Sequence, residues 1–290
     1  MSLSALALVL VAACLHATWN LLLKKASLPA LGFTWTSSVA VTLVYAPAAL
    51  LFWRDELFAL DAAQWLALLA SAVIHVGYFL SLQRGYKVAD LSIVYPVARG
   101  VGPMVASLAA MAFLGEPPTA LTLAGLALIV GGTFTTAGGW GLLREGWTHR
   151  VRAGLGWGVL TGLFIAGYTF NDGRAVKVLL IAPLLVDWVG NLIRVLILLP
   201  WVALRPDEIR TTVRTGWKTV LTVAVISPLA YMLVLQAMTM APVSHVAPAR
   251  EVSMLIAAFL GARMLGEGEM RRRLAGAGLI AGGVVCLVLA

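Results

Sequence analysis

Two arginines, Arg99 and Arg250, each follow an alanine and stand 151 residues apart in a chain of 290. A guanidinium carries five donors in a planar fork and grips a carboxylate or a phosphate bidentately. Other polar landmarks return at the same offset. Thr18-Trp19-Asn20 recurs as Thr169-Phe170-Asn171, and Leu114-Gly115-Glu116 as Leu265-Gly266-Glu267. Ala124-Gly125 and Gly131-Gly132 recur as Ala275-Gly276 and Gly282-Gly283. His16 and Asn20 share a helical face, as do His75 and Tyr78, and Tyr231 is the counterpart of Tyr78 after a two-residue shift. Histidine as a residue type can carry a coupling proton, which makes His75 a candidate for that role, with a hydrogen-bonded packing role as the alternative. Asp187, Asn191 and Arg194 fall at i, i+4 and i+7, which suits an internal ion pair. These groups can hold a small polar or charged molecule. No Walker A motif, dinucleotide fingerprint, Cys/His metal cluster or nucleophile elbow occurs, so no cofactor, metal or catalytic residue is expected.

The elements that carry these groups are greasy. Hydrophobic residues make up 61% of the chain and charged residues 12%, and the mean hydropathy is +0.93. Soluble domains carry about a quarter charged residues, so this is the composition of an integral membrane protein. One spanning helix takes about 20 apolar residues. Ten stretches qualify, at 3–23, 31–52, 63–82, 91–114, 119–137, 154–171, 178–203, 218–240, 243–265 and 274–290. Cys14 and Cys286 fall inside spans, where buried small hydrophobes are expected.

The net charge of +8 is distributed as topology anchors, not as a nucleic-acid surface. Lys24, Lys25, Arg84, Lys87, Arg144, Arg150, Arg152, Arg205, Arg210, Arg214, Lys218, Arg263 and Arg271 to Arg273 sit in or beside odd-numbered connections; the even ones hold only Arg54, Arg174 and Lys177. Positive residues collect on the cytoplasmic side. The odd connections are therefore expected in the cytoplasm and both termini on the periplasmic or extracellular side of an inner membrane.

Five spans per copy is an odd number, so the second copy must insert upside down relative to the first. The expected fold is all-α, with ten transmembrane helices in two inverted repeats of five. The repeats cover residues 1–138 and 154–290, joined by a cytoplasmic linker at 139–153. In transporters built this way the substrate site lies near the midplane between the halves. Arg99, eight residues into its span, would lie about 12 Å along a helix, with Arg250 at similar depth in the ninth span. Each is a candidate to hold a substrate carboxylate. The structural alternative pairs Arg250 with adjacent Glu251 and bonds Arg99 to carbonyls freed by Pro96 and Pro103. Pro96, Gly100, Pro103 and Pro248 interrupt the fourth and ninth helices and are candidate hinges. Asn20 and Asn171 are expected to line the cavity, with interhelical hydrogen bonding as the alternative. Gly154, Gly158 and Gly162 indicate a closely packed helix.

Ten spans in two halves, each closing its fourth span on Leu-Gly-Glu, resemble the drug/metabolite transporter superfamily and its EamA-type members. Pro103, thirteen residues before Glu116, fits the pattern; the second copy departs from it, with Met254 at the equivalent place and Pro248 six residues earlier. The resemblance implies a basket-like fold around a central cavity. The first, third and fourth spans of each half line it, and the fifth packs behind. Related members export amino acids and other metabolites, or carry nucleotide sugars and phosphorylated sugars.

The expected function is therefore a secondary or facilitated carrier, not an enzyme, that exports neutral or aromatic amino acids or similar metabolites by alternating access. Arg99, Arg250, Asn20, Asn171, Tyr78, His75, Trp19 and Tyr231 are the candidate substrate contacts, with proton coupling as an added possibility. A carrier of phosphorylated or carboxylated organic anions is the alternative, although no Lys lies deep in a span. A membrane enzyme acting on lipid head groups would need clustered acids, and Asp187 and Glu251 are the carboxylates read as deep.

Overall fold

The computed structural model describes residues 1–26, 28–136, 148–256 and 270–290. Among them the chain is helical and forms no strand. Its helices are α1 (Leu3–Ala26), α2 (Ala30–Phe52), α3 (Arg54–Ala59), α4 (Ala62–Val88), α5 (Leu91–Phe113), α6 (Ala120–Thr136), α7 (His149–Lys177), α8 (Pro183–Ala203), α9 (Pro206–Met240), α10 (Val243–Ala249) and α11 (Met270–Leu289). In hydrocarbon a backbone must satisfy its own hydrogen bonds, so near-continuous apolar sequence folds as helix. Local chemistry sets the starts. Asp61 accepts from Gln64 N at 2.8 Å while Gln64 Oε1 accepts from Asp61 N at 2.9 Å, a reciprocal cap that opens α4. Thr148 caps α7, and Pro183 and Pro206 open α8 and α9.

Among the described residues, seven helices are long and apolar enough to cross a membrane. Two further apolar stretches, Ala120–Thr136 and Leu274–Leu289, are shorter. Several expected boundaries move. The sixth span extends from 154–171 to the 29 residues of α7, so His149 to Ala153 are helix although they fall in the expected linker. The eighth extends from 218–240 to a 35-residue helix that takes in the charged stretch from Pro206. The small helix α3 was not expected. Pro96 and Pro103 lie within an unbroken α5, whereas the ninth stretch is interrupted where expected. After Pro248 the pattern tightens to three-residue bonds, Glu251 N to Pro248 O, Ser253 N to Arg250 O and Met254 N to Glu251 O. The second Leu-Gly-Glu, ending at Glu267, lies outside the described residues.

Small residues let helices touch at the backbone. Along α7, a methyl on Gly154, Gly158 or Gly162 would meet Ile93, Val97 and Val101 of α5 at 2.7 to 2.8 Å, so the glycine ladder packs within the chain and the two helices run parallel. The seam between α6 and α11 is antiparallel: a methyl on Gly125 would meet Gly283 O at 2.8 Å, and one on Gly132 would meet Gly276 O at 2.7 Å.

Bonds between connections sort them into two ends. At one end Glu208 Oε2 accepts from Gly32 N at 3.2 Å, and Arg150 pairs with Asp90 at 2.6 Å. At the other, Gln64 Nε2 donates to Leu179 O at 2.9 Å and Ala182 N to Glu56 Oε1 at 2.7 Å. There, too, the Met1 ammonium donates to Leu287 O and Val288 O. Among the described residues these bonds thus join odd connections to odd ones and even to even.

The Leu-Gly-Glu motif has a structural role at the second end. Gly115 turns the chain with φ +68°, and Glu116 crosses to the other half. Its carboxylate accepts from Val243 N at 2.7 Å, Ser244 N at 2.8 Å and Lys177 Nζ at 3.0 Å, while Lys177 also donates to Ala241 O. Burial alone would raise the Glu116 carboxyl. The bonds from Ser244, Val243 and Lys177 outweigh it and hold the group below its ordinary value. A depressed carboxylate stabilises the fold fully above its unfolded pKa, about 4.3, and that stabilisation is lost as pH falls through the lower folded value. Glu116→Ala is expected to cost about 2 kcal/mol at pH 7. Thermal unfolding in detergent across pH 3 to 7 should show its deficit shrinking below about pH 4; a deficit constant with pH would contradict the latch.

Candidate functional site

A cavity of about 230 Å³ opens between α1, α4, α5, α7, α8, α9 and the interrupted stretch after α10. Neither α6 nor α11 contributes to it; they pack on each other behind. His16, Trp19 and Asn20 enter from α1, His75 and Tyr78 from α4, Tyr95 and Arg99 from α5, Ile165 and Tyr168 from α7, Tyr231 from α9, and Arg250 and Ser253 from the ninth stretch. The two arginines of the repeat therefore face one space.

Their partners differ from both expected arrangements. Glu251 turns away from its neighbour Arg250 and pairs with Arg99, Oε2 to Nη2 at 2.8 Å. The break at Pro248 gives Glu251 this reach, because the residue lies in a tight turn facing α5 and not on a regular helix. Arg250 lies over the Tyr231 ring at 5.7 Å, a cation–π contact, and has no ion-pair partner among the described residues. Arg99 keeps a buried Nε–H without a bond, as do Arg194 at Nε and Trp19 at Nε1. Three buried donors at one cavity suit an acceptor-rich ligand.

The seventh span adds a charge group that the sequence reading treated as internal. Asp187 and Arg194 both line the cavity, and their link runs through Asn191 without direct contact. Asn191 Nδ2 donates to Asp187 Oδ2 at 3.1 Å, and Arg194 Nη1 donates to Asn191 Oδ1 at 3.2 Å. At the repeat offset of 151, Asp187 and Arg194 correspond to Thr36 and Leu43, so this element belongs to one half alone.

Aromatic rings form one wall. His75 stacks on Tyr168 with centroids 4.0 Å apart and planes 20° apart, and Tyr78 and Tyr231 meet the Tyr168 ring edge-on. His75 Nδ1 donates to Ser71 O at 2.9 Å, which leaves Nε2 as the acceptor. Tyr231 donates its hydroxyl to Asp172 Oδ2 at 2.6 Å.

Asp172 is fully buried and escaped the sequence reading, which counted only Asp187 and Glu251 as deep. Its signal was its place next to Asn171, on a helix whose end was set at 171. Tyr168, one turn before it, was missed with it. Asn171 is not a cavity residue: its amide donates to Ala67 O and Asp172 Oδ1, both at 2.9 Å, which is the interhelical bonding named as the alternative. Asn20 does line the cavity, with its amide bound to His16 O at 2.7 Å. His245 lies outside the cavity and meets Thr122 Oγ1 at 3.1 Å. Trp188 also lies outside and donates to Thr42 O. Cys14 is exposed and Cys286 half-buried, so neither is the buried small hydrophobe expected.

A solved crystal structure superposes on the chain with a TM-score of 0.78 at 15% identity, covering 99% of this chain and 98% of that one; at such identity the likeness establishes the fold alone. No curated protein sequence matches. The model of the EamA-like transporter family matches twice, over residues 3–138 and 152–289.

The Arg99–Glu251 pair gives a quantitative expectation. Removing one partner leaves the other charge buried, at a cost of about 3 kcal/mol. Arg99→Leu and Glu251→Leu should each lower stability by about that much, and the double variant by clearly less than the sum. Denaturation in detergent measures the cycle, and strictly additive losses would mean the two side chains do not interact.

Proposed function

The chain belongs to the EamA-like transporter family and is a membrane transporter of the drug/metabolite type, and we propose that it exports neutral or aromatic amino acids as a secondary carrier. The observation that carries this reading is the charge balance around the cavity. Arg99, Arg194 and Arg250 stand against Asp172, Asp187 and Glu251, and the formal charges cancel. A balanced site suits a zwitterion. Arg250, which has no carboxylate partner among the described residues, takes the substrate carboxylate. Asp187 takes the ammonium group, and the wall of His75, Tyr78, Tyr168 and Tyr231 takes an apolar or aromatic side chain. A space of about 230 Å³ fits one small metabolite, below the roughly 300–1,000 Å³ of most drug-sized sites. Carriage of organic dianions is the competing reading: the unbonded arginine donors favour an anion, but the neutral balance opposes a doubly charged one.

In this reading transport proceeds by alternating access, with two inverted halves, residues 1–138 and 154–290, rocking about the cavity. Three features support the inversion. The α6–α11 seam is antiparallel, its glycines pair crosswise between the copies, and odd and even connections gather at opposite ends. The charge bias then puts the odd connections and the 139–153 linker in the cytoplasm, and both termini across the inner membrane. Cysteines at Ser2 and Thr215, each placed singly with Cys14 and Cys286 replaced by Ala, test this. In intact cells an impermeant maleimide should label the first and spare the second, and the reverse pattern would overturn the topology.

Efflux from proteoliposomes loaded with single radiolabelled amino acids tests the substrate. Protein-dependent release of large neutral or aromatic amino acids is expected, and Arg250→Ala should slow it more than tenfold while the protein stays monodisperse. An imposed pH gradient that leaves release unchanged makes the carrier a uniporter and removes His75 as a coupling group. Release of phosphorylated sugars or dicarboxylates and of no amino acid would replace this reading with the anion carrier.

A further inference from the structure

Beyond the central cavity, α4 and α8 run on toward the end that gathers the odd connections, and between them lies a second pocket of about 390 Å³. On α4 the lining passes from Tyr78 in the cavity to Leu80, Arg84 and Lys87 in the pocket; on α8 it passes from Arg194 to Leu198 and Trp201. The start of α2 and the start of α9 close its floor.

The charges at this pocket do not balance. Its one carboxylate, Glu208, is already committed, accepting from Arg205 Nη1 at 3.3 Å on one oxygen and from Gly32 N at 3.2 Å on the other. Arg84 and Lys87 lie three residues apart on one face of α4, both exposed, and neither has an ion-pair partner among the described residues. Two uncompensated cations thus share a recess with apolar walls. Those walls are bare: Leu80 is 46% exposed and Trp201 49%. A tryptophan near a helix end beside basic residues is the composition of a membrane–water boundary.

We propose that this pocket binds an anionic glycerophospholipid, with the phosphate on Arg84 and Lys87 and an acyl chain along Leu80 and Trp201. A zwitterionic lipid brings its own cation to a site already in surplus. A soluble phosphate compound satisfies the cations but leaves the apolar wall uncovered. Basic recesses between spanning helices are suited to anionic head groups in this way. The site is separate from the central cavity and does not depend on what the carrier transports.

Native mass spectrometry of the full chain in detergent tests the proposal without any transport assay. Titration with phosphatidylglycerol should give one retained adduct per chain, phosphatidylcholine should give none at equal concentration, and millimolar inorganic phosphate should not displace it. Each charge removed should weaken binding about fivefold, so R84Q/K87Q should bind more than tenfold more weakly. R210Q/R214Q, which removes two exposed charges outside the pocket, should bind as the parent does. Equal retention of the two lipids, unchanged binding by R84Q/K87Q, or displacement by inorganic phosphate would each overturn it. A second readout is independent of the charge variants: brominated phosphatidylglycerol should quench Trp201 fluorescence, taken as the difference from W201F, more than brominated phosphatidylcholine. Equal quenching would count against the site.

Discussion

A guanidinium buried at membrane depth needs a partner, and for Arg99 much of this architecture goes to supplying one. Arg99 on α5 is met by Glu251, which arrives from the other half of the chain. To arrive, the ninth stretch gives up its helix after Ala249 and turns tightly through Arg250. A broken helix at that depth is tolerable only beside a polar cavity and only if its start is held. Glu116 holds it, bonding the first two amides of α10 and drawing in Lys177. One ion pair at the centre therefore depends on a carboxylate near the surface, and both carboxylates cross between the halves.

The cavity is polar on one side and aromatic on the other because separate elements supply each. Arg99 and Arg250 occupy equivalent positions in the two copies, whereas Asp187 and Arg194 have Thr36 and Leu43 as their counterparts. In the proposed amino-acid site, the duplicated positions supply the anion grip, and the charges found in one copy supply the contact for the ammonium end. Such asymmetry within a symmetric frame lets a single substrate bind in one orientation.

The all-helical membrane class and the two repeats were legible in the sequence because their signals are redundant. Apolar run length and the 151-residue offset both carry them, and the glycine ladder at 154, 158 and 162 announced a close approach that α5 supplies. Helix ends were less legible. The charged turns at 206–217 precede the apolar core of α9 and those at 172–177 follow that of α7, and hydropathy alone cannot see a helix extending past its greasy part. Partner choice was legible least. Glu251 adjoins Arg250 in sequence, yet the turn points them apart, and Asp172 falls just past the end of the apolar run at 171, although its helix continues to Lys177. Contacts set by backbone direction leave no trace in composition.

The crosswise glycine seam has a consequence for how the two halves change through descent. Gly132 presses on Gly276, and Gly125 on Gly283, so neither touches its own duplicate. A bulkier residue acquired at 132 meets the Gly276 carbonyl and the Ile280 side chain; glycine has no side chain to give up, so relief must come from Ile280 and not from 283. Once a duplicated gene begins to drift, inheritance along this seam therefore runs in two coupled pairs that cut across the repeat. The record of compensation would be written diagonally, between positions that an alignment of one half on the other never places together.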